Sequence, residues 1–131
     1  MSALSLLLLA KIILTLPLIN LYLFGDQKRL NSLHGQYGDN PMIYRFCGIG
    51  LLALVAIYGA ALTNSLSGAL PFDLILVGIV VNLGAATMLL AWNSHPKLRF
   101  SMWVFGGAGA GFLLTLAFPD QALIPLLNSV A

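Results

Sequence analysis

The chain has 131 residues, of which 60% are hydrophobic and 8% are charged. A soluble domain carries about 25% charged residues, and six Lys and Arg with four acidic residues cannot solvate the surface of a soluble protein of this size. The composition therefore excludes a cytosolic globular enzyme, a disordered chain and a nucleic-acid-binding protein. It predicts a single-domain integral membrane protein.

Four apolar segments are long enough to cross a membrane as helices. A helix needs about 20 mostly apolar residues to span the hydrocarbon core of a bilayer, and these segments lack the alternating polar positions of β-barrel strands. The predicted fold class is all-α, an up-and-down bundle of four transmembrane helices. The predicted spans are residues 3–24, 44–63, 72–92 and 100–118.

The segments between the spans carry turn residues. The second and third loops are short, which predicts that the second, third and fourth spans are antiparallel neighbours. In the longer first loop, Asp26 is positioned to cap a short helix on the membrane surface. The tail, residues 119–131, is too short to span and is predicted to lie in the interface as a helix, although Pro125 fits poorly inside a helix.

The distribution of basic residues predicts the orientation. The first and third loops are basic, whereas the second loop and both tails have no Lys or Arg. Basic residues in short loops face the cytoplasm, so both termini are predicted to lie outside it, in a membrane of the bacterial inner-membrane type. The same residues are candidate contacts for lipid phosphates or another anion: Lys28, Arg29, Arg45, Lys97 and Arg99.

Lys11 lies deep inside the first span. It is eight residues from the start of that span, or about 12 Å at 1.5 Å per residue, and a charge near the bilayer centre costs about 2.5–3.5 kcal/mol. Asn82 lies at about the same depth and Tyr58 somewhat nearer the same face. Lys11, Asn82 and Tyr58 are therefore predicted to form a buried polar group or a ligand site. Three alternatives are open: snorkelling of the amine to the nearer interface, a neutral amine, and pairing with an anion from outside the chain.

The fourth span contains four glycines within six positions. Small residues one turn apart allow two helix backbones to approach closely, and glycine otherwise costs about 1 kcal/mol relative to alanine in a helix. A close neighbour is therefore expected, either within the bundle, in a second copy or in another subunit. The predicted packing residues are Gly106, Gly107, Gly109 and Gly111.

No catalytic set, metal site or cofactor site is predicted. His34, His95 and Cys47 gather at the predicted cytoplasmic rim, but their spacing does not match a ligand motif for zinc or copper. All four acidic residues are Asp, and none lies deep within a span. Proton-coupled transport usually needs an intramembrane carboxylate or His, so a proton-driven antiporter is not favoured.

The layout is similar to that of the MAPEG family of membrane glutathione transferases. That family also has four spans, termini away from the cytosol and a long first cytosolic loop, and its second helix carries Arg, Asn and Glu at helical spacing. Here Arg45 opens the second span, but Gly48, Ile49 and Gly50 follow, and the chain has no Glu. The resemblance implies an anionic cosubstrate held by Arg45, Lys97 and Arg99.

Three functions from different classes are therefore open. The first is a non-catalytic accessory or assembly subunit of a larger membrane complex, whose partners are other subunits or further copies of the chain. The second is a small carrier of an apolar or anionic ligand with Lys11, Asn82 and Tyr58 as its polar lining. The third is a divergent MAPEG-like transferase. The first is favoured because the chain lacks a catalytic set.

Overall fold

The computed structural model describes residues 1–34, 42–91 and 99–126. Within these ranges the regular elements are helices, with one isolated β-bridge between Ser2 and Pro125. Four of the helices are long and apolar enough to cross a membrane, which confirms the predicted all-α, four-span architecture. The helices are α1 (Ala3–Phe24), α2 (Gln27–His34), α3 (Met42–Leu66), α4 (Phe72–Ala91), α5 (Arg99–Ala117) and α6 (Pro119–Leu123).

The short helix α2 confirms the prediction made for the first loop. The backbone N–H of Arg29 donates to Oδ1 of Asp26 at 2.7 Å, which satisfies one of the free amides in the first turn of the helix. Leu30 is buried against the bundle, while Lys28 and Arg29 are exposed. The element is therefore amphipathic, with its basic side chains directed away from the core.

The four long helices form two pairs. Most contacts join α1 to α3 and α4 to α5, and the contacts between the two pairs are fewer. The predicted neighbour relation of α4 and α5 is confirmed, whereas that of α3 and α4 holds only in part. A short loop brings two helices together at the loop itself and does not make them pack along their whole length.

Three serines fasten α1 to α3 at one end of the bundle, which we call the serine end. The hydroxyls of Ser5 and Ser65 lie 2.9 Å apart, and the hydroxyl of Ser2 lies 2.9 Å from that of Ser5 and 3.2 Å from that of Ser65. All three residues are buried. Because each hydroxyl can donate and accept, this cluster satisfies its own polar groups inside an apolar layer.

Arg45 fastens the same two helices at the opposite end, which we call the α2 end. Its guanidinium donates from Nη1 to the carbonyl of Tyr22 at 2.8 Å and from Nη2 to the carbonyl of Gly25 at 2.9 Å. These carbonyls lie at the end of α1, where no further helical turn supplies donors. Gly48 brings the backbones close, since a Cβ there would lie 2.7 Å from Cδ2 of Leu23.

The tail departs from the predicted interfacial helix over residues 119–131. The helix α6 ends at Leu123, and Pro125 instead forms the β-bridge with Ser2. The backbone N–H of Leu126 donates to the carbonyl of Met1 at 2.9 Å. Proline lacks the N–H that a helix interior requires, which accounts for the early stop. Residues 127–131 lie outside the described part of the chain.

Candidate functional site: two adjacent cavities between the helix pairs

The two helix pairs meet in a buried layer built around Tyr58 of α3. The amide nitrogen Nδ2 of Asn82 donates to Oη of Tyr58 at 2.5 Å and to the carbonyl of Gly78 at 2.7 Å. The ring of Tyr58 stacks on that of Phe112, with 5.7 Å between the ring centroids. Gly78 allows this close approach, because a Cβ there would lie 3.0–3.3 Å from these two rings and would require them to shift by a few tenths of an ångström. We call this set of residues, Tyr58, Gly78, Asn82 and Phe112, the floor layer. It joins α3, α4 and α5.

One core of buried apolar side chains surrounds the floor layer and extends towards the serine end. Its side chains come from α1, α3, α4, α5 and α6, and one of them, Leu54, also lines the cavity on the other side of the floor layer. The residues of this core cluster are Leu4, Leu8, Leu54, Tyr58, Ala61, Ile75, Phe112 and Ala122. An open groove of about 380 Å³ remains on the surface at this end, between α1, α5 and α6.

A cavity opens between the pairs on the other side of the floor layer. It has a volume of about 600 Å³ and is lined by all four long helices. Its walls are almost wholly apolar, with Tyr22, Cys47 and Ser101 as the polar exceptions. We call it the central cavity; its apolar walls include Leu18, Leu21, Leu51, Val81, Leu89 and Phe105.

A second cavity of about 390 Å³, the side cavity, lies between α1 and α5. It shares Leu18, Ser101 and Phe105 with the central cavity, so the two spaces are adjacent. Lys11 and Thr15 of α1 face it. Of the described residues that line the two cavities, Lys11 alone carries a charge. Together they have the size and apolar character of ligand pockets, which commonly measure about 300–1,000 Å³.

Lys11 is 3% exposed, and its amine lies 4.1 Å from the centroid of the Phe105 ring. A cation placed over an aromatic face is attracted by the negative charge distribution of the ring. The predicted hydrogen bond from Lys11 to Asn82 or Tyr58 does not form among the described residues. The Nδ2 of Asn82 donates to Tyr58 and Gly78, while its Oδ1, the atom that could accept from Lys11, is buried without a partner there. Lys11 thus belongs to the side cavity, and Asn82 and Tyr58 belong to the floor layer.

The glycines of α5 play different parts. A Cβ at Gly109 would lie 2.5 Å from Cδ2 of Leu83 in α4, and one at Gly111 would lie 3.0 Å from Cδ2 of Leu7 in α1. Gly106 approaches Ala86 at an ordinary 3.9 Å, while Gly107 has open space around it. Close packing within the chain therefore accounts for Gly109 and Gly111, and it does not account for Gly107.

The basic residues predicted to contact lipid or another anion also differ in their environments. Lys28, Arg29 and Arg99 are exposed, as such contacts require. Arg45 is half-buried and donates to two backbone carbonyls of the α1 end. Lys97 and His95 lie outside the described residues.

Ser101 and Phe105 are site residues that the sequence did not single out. They lie one turn apart in α5 and so share a face of the helix, and both line the two cavities. One hydroxyl and one ring in an apolar span are common features. The one feature of the sequence that could have pointed to them is Lys11 on another span, which needs a partner at its own depth in the membrane.

Comparison of the chain with protein-family models, curated proteins and solved structures gives no match in any of the three. The resemblance of layout to the MAPEG family thus gains no support from similarity of sequence or structure. In addition, the guanidinium of Arg45, which that resemblance assigns to a cosubstrate, bonds to the backbone of α1.

Proposed function

We propose that this membrane protein is a small binding protein or carrier for an amphipathic ligand held between its two helix pairs. The observation that carries the proposal is the buried Lys11 amine, which faces the side cavity, next to the larger and mostly apolar central cavity. A pocket with mostly apolar walls and a few convergent polar groups is the usual form of a small-molecule site. The carrier function therefore takes precedence over the accessory-subunit function that the sequence favoured.

The test is to extract the protein from its native membrane in mild detergent and to identify what accompanies it by native mass spectrometry. We expect a small amphipathic molecule bound at one per chain. A Leu51→Trp variant, which fills the central cavity, is expected to lose that molecule, while Leu52→Trp on the exposed face of the same helix is expected to keep it. A wild-type chain that carries no small molecule in its native lipid would contradict the proposal.

An accessory subunit of a larger complex is the second candidate, and one observation favours it. A Cβ added at Gly84 of α4 or at Gly107 of α5 would have no atom within 4 Å. Exposed small residues allow another transmembrane helix to approach closely. The same native mass spectra decide between the two functions, because other proteins at fixed stoichiometry without a small molecule would favour the accessory subunit.

We also propose that the α2 end faces the cytoplasm and that the membrane is a bacterial inner membrane. The concentration of Lys and Arg in the first and third loops supports this orientation. In a Cys47→Ser background, Ser32→Cys on the exposed side of α2 is expected to react with a membrane-impermeant maleimide only in inverted vesicles. Ser67→Cys, in the loop at the other end, is the matched control and is expected to react only in right-side-out vesicles. The reverse pattern would overturn the orientation.

A further inference from the structure

Lys11 has no counter-charge within the described part of the chain. Its amine forms no hydrogen bond or ion pair there, and its neighbour is the face of Phe105. Three of the four acidic residues, Asp26, Asp73 and Asp120, lie at the ends of helices, and the fourth lies outside the described residues. A ring face attracts a cation but does not neutralise its charge. A buried charge is normally paired, so the partner of Lys11 is expected to come from outside the chain.

The amine does not reach towards the nearer membrane interface. Leu7 of α1 lies against Gly111 of α5. From that contact Lys11 is about 6 Å nearer the α2 end along α1, and Phe105 is about 9 Å nearer it along α5, at 1.5 Å per residue. The Lys11 amine, 4.1 Å from the centroid of Phe105, therefore lies close to the depth of its own backbone. In this position the amine faces the side cavity and does not extend to the serine end.

A second polar group lines the same cavity. Ser101 is in the first turn of α5, one turn from Phe105, and its hydroxyl forms no hydrogen bond with the described residues. The hydroxyl of Thr15, by contrast, donates to the carbonyl of Lys11 at 2.7 Å. The side cavity thus offers one ammonium and one hydroxyl that has no partner among the described residues, while its remaining walls, apart from Thr15, are apolar.

We propose that the side cavity binds the carboxylate of a single-chain amphiphile, such as a fatty acid, with the Lys11 amine and the Ser101 hydroxyl as its donors. This inference rests on the proposed function and names the class of ligand. A charge-assisted hydrogen bond is about twice as strong as a neutral one, and the apolar surroundings strengthen it further. One ammonium matches the single charge of a carboxylate better than a phosphate monoester, which carries about −1.5 to −2.

The central cavity provides the space for the apolar chain. It adjoins the side cavity at Leu18, Ser101 and Phe105, and its volume is about 600 Å³. Ile13 and Leu14 at the rim of the side cavity are exposed on the outer face of α1, where the bilayer lies. A fatty acid therefore reaches Lys11 from within the lipid, without leaving the membrane.

The test compares three ligands of equal chain length on the full chain in phosphatidylcholine nanodiscs, with empty nanodiscs as the partition blank. Tritiated hexadecanoate, hexadecanol and hexadecyl phosphate are titrated at pH 8, and binding is followed by scintillation proximity. We expect hexadecanoate to bind about 10- to 100-fold more tightly than hexadecanol, as one charge-assisted hydrogen bond provides. Hexadecyl phosphate is expected to bind less tightly than hexadecanoate.

Single-residue variants test whether Lys11 and Ser101 cause the preference for hexadecanoate over hexadecanol. Lys11→Met is expected to bring the ratio of hexadecanoate to hexadecanol affinity close to one while leaving hexadecanol binding intact. That retained binding shows that the variant is folded. Ser101→Ala is expected to lower the ratio by about 2- to 10-fold, the effect of one hydrogen bond. Lys28→Met on the exposed side of α2 removes the same charge away from the cavities and is expected to leave the ratio unchanged.

The possible failures are distinguishable. If hexadecanol binds wild type as tightly as hexadecanoate, or if Lys11→Met keeps the preference, the carboxylate proposal is overturned while the cavity remains a binding site. Tighter binding of hexadecyl phosphate than of hexadecanoate also overturns it, in favour of a doubly charged head group. If none of the three ligands binds above the blank, the proposed function fails as well.

Discussion

Replacing Phe112 with alanine is expected to lower the free energy of unfolding by about 2–4 kcal/mol. Phe112 is fully buried, and its ring packs against Tyr58 and the backbone of Gly78 in the floor layer. Removal of a buried Phe side chain costs about 3–5 kcal/mol in soluble proteins. The value is placed somewhat lower here because separated membrane helices remain in lipid, so the lost contacts and the cavity make up most of the cost.

The measurement is a titration with sodium dodecyl sulfate in mixed micelles, followed by circular dichroism. Phe46→Ala is the matched control, because Phe46 of α3 is 66% exposed. It is expected to change the free energy of unfolding by less than about 0.5 kcal/mol, as surface substitutions usually do. Equal losses for both variants would show that the floor layer does not hold the two helix pairs together.

The positions of the contacts that join the helices explain where the two cavities lie. The α1–α3 pair is joined at the serine end by hydroxyls and at the α2 end by Arg45, so its two helices are held together at both ends. The two pairs are joined to each other by the floor layer and by the Leu7–Gly111 contact. Beyond the floor layer, towards the α2 end, the contacts between the pairs give way to the two cavities.

The four spans and their approximate limits were predictable from the sequence. Each follows from the length and hydropathy of one segment, and neither property depends on the rest of the chain. The first span was predicted at 3–24 and observed at Ala3–Phe24. The cap of α2 was predictable for a similar reason, since Asp26 and the amide of Arg29 are three residues apart.

The pairing of the helices was not predictable in this way. A helix that is apolar on all sides presents no hydrophobic stripe that would distinguish a packed face from a lipid-facing one. Loop length suggested that α3 and α4 would be close neighbours, but the main partner of α3 is α1, which precedes it across the long first loop. The side cavity lies between α1 and α5, which belong to different pairs. The proximity of Ser101 and Phe105 to Lys11 could therefore not be predicted before the arrangement of the helices was known.

Replacing Gly109 with alanine is expected to destabilise the bundle by about 1–3 kcal/mol, the usual cost of overpacking. The added Cβ would lie 2.5 Å from Cδ2 and 2.8 Å from Cγ of Leu83, and 3.4 Å from the backbone nitrogen of the same residue. The clash with Cγ means that the whole Leu83 side chain must move. Because α4 and α5 are packed closely along this line, the two helices must separate to relieve the contact.

Gly107→Ala is the control that separates packing from helix propensity. It makes the same chemical change half a turn away in α5, at a position where no atom lies within 4 Å of the new Cβ. Alanine is favoured over glycine in a helix by about 1 kcal/mol, so this variant is expected to be neutral or slightly stabilising in the same titration. If Gly109→Ala is equally well tolerated, the α4–α5 contact is looser than described. If Gly107→Ala is the damaging variant, a partner helix covers that face of α5, which would favour the accessory-subunit function over the carrier.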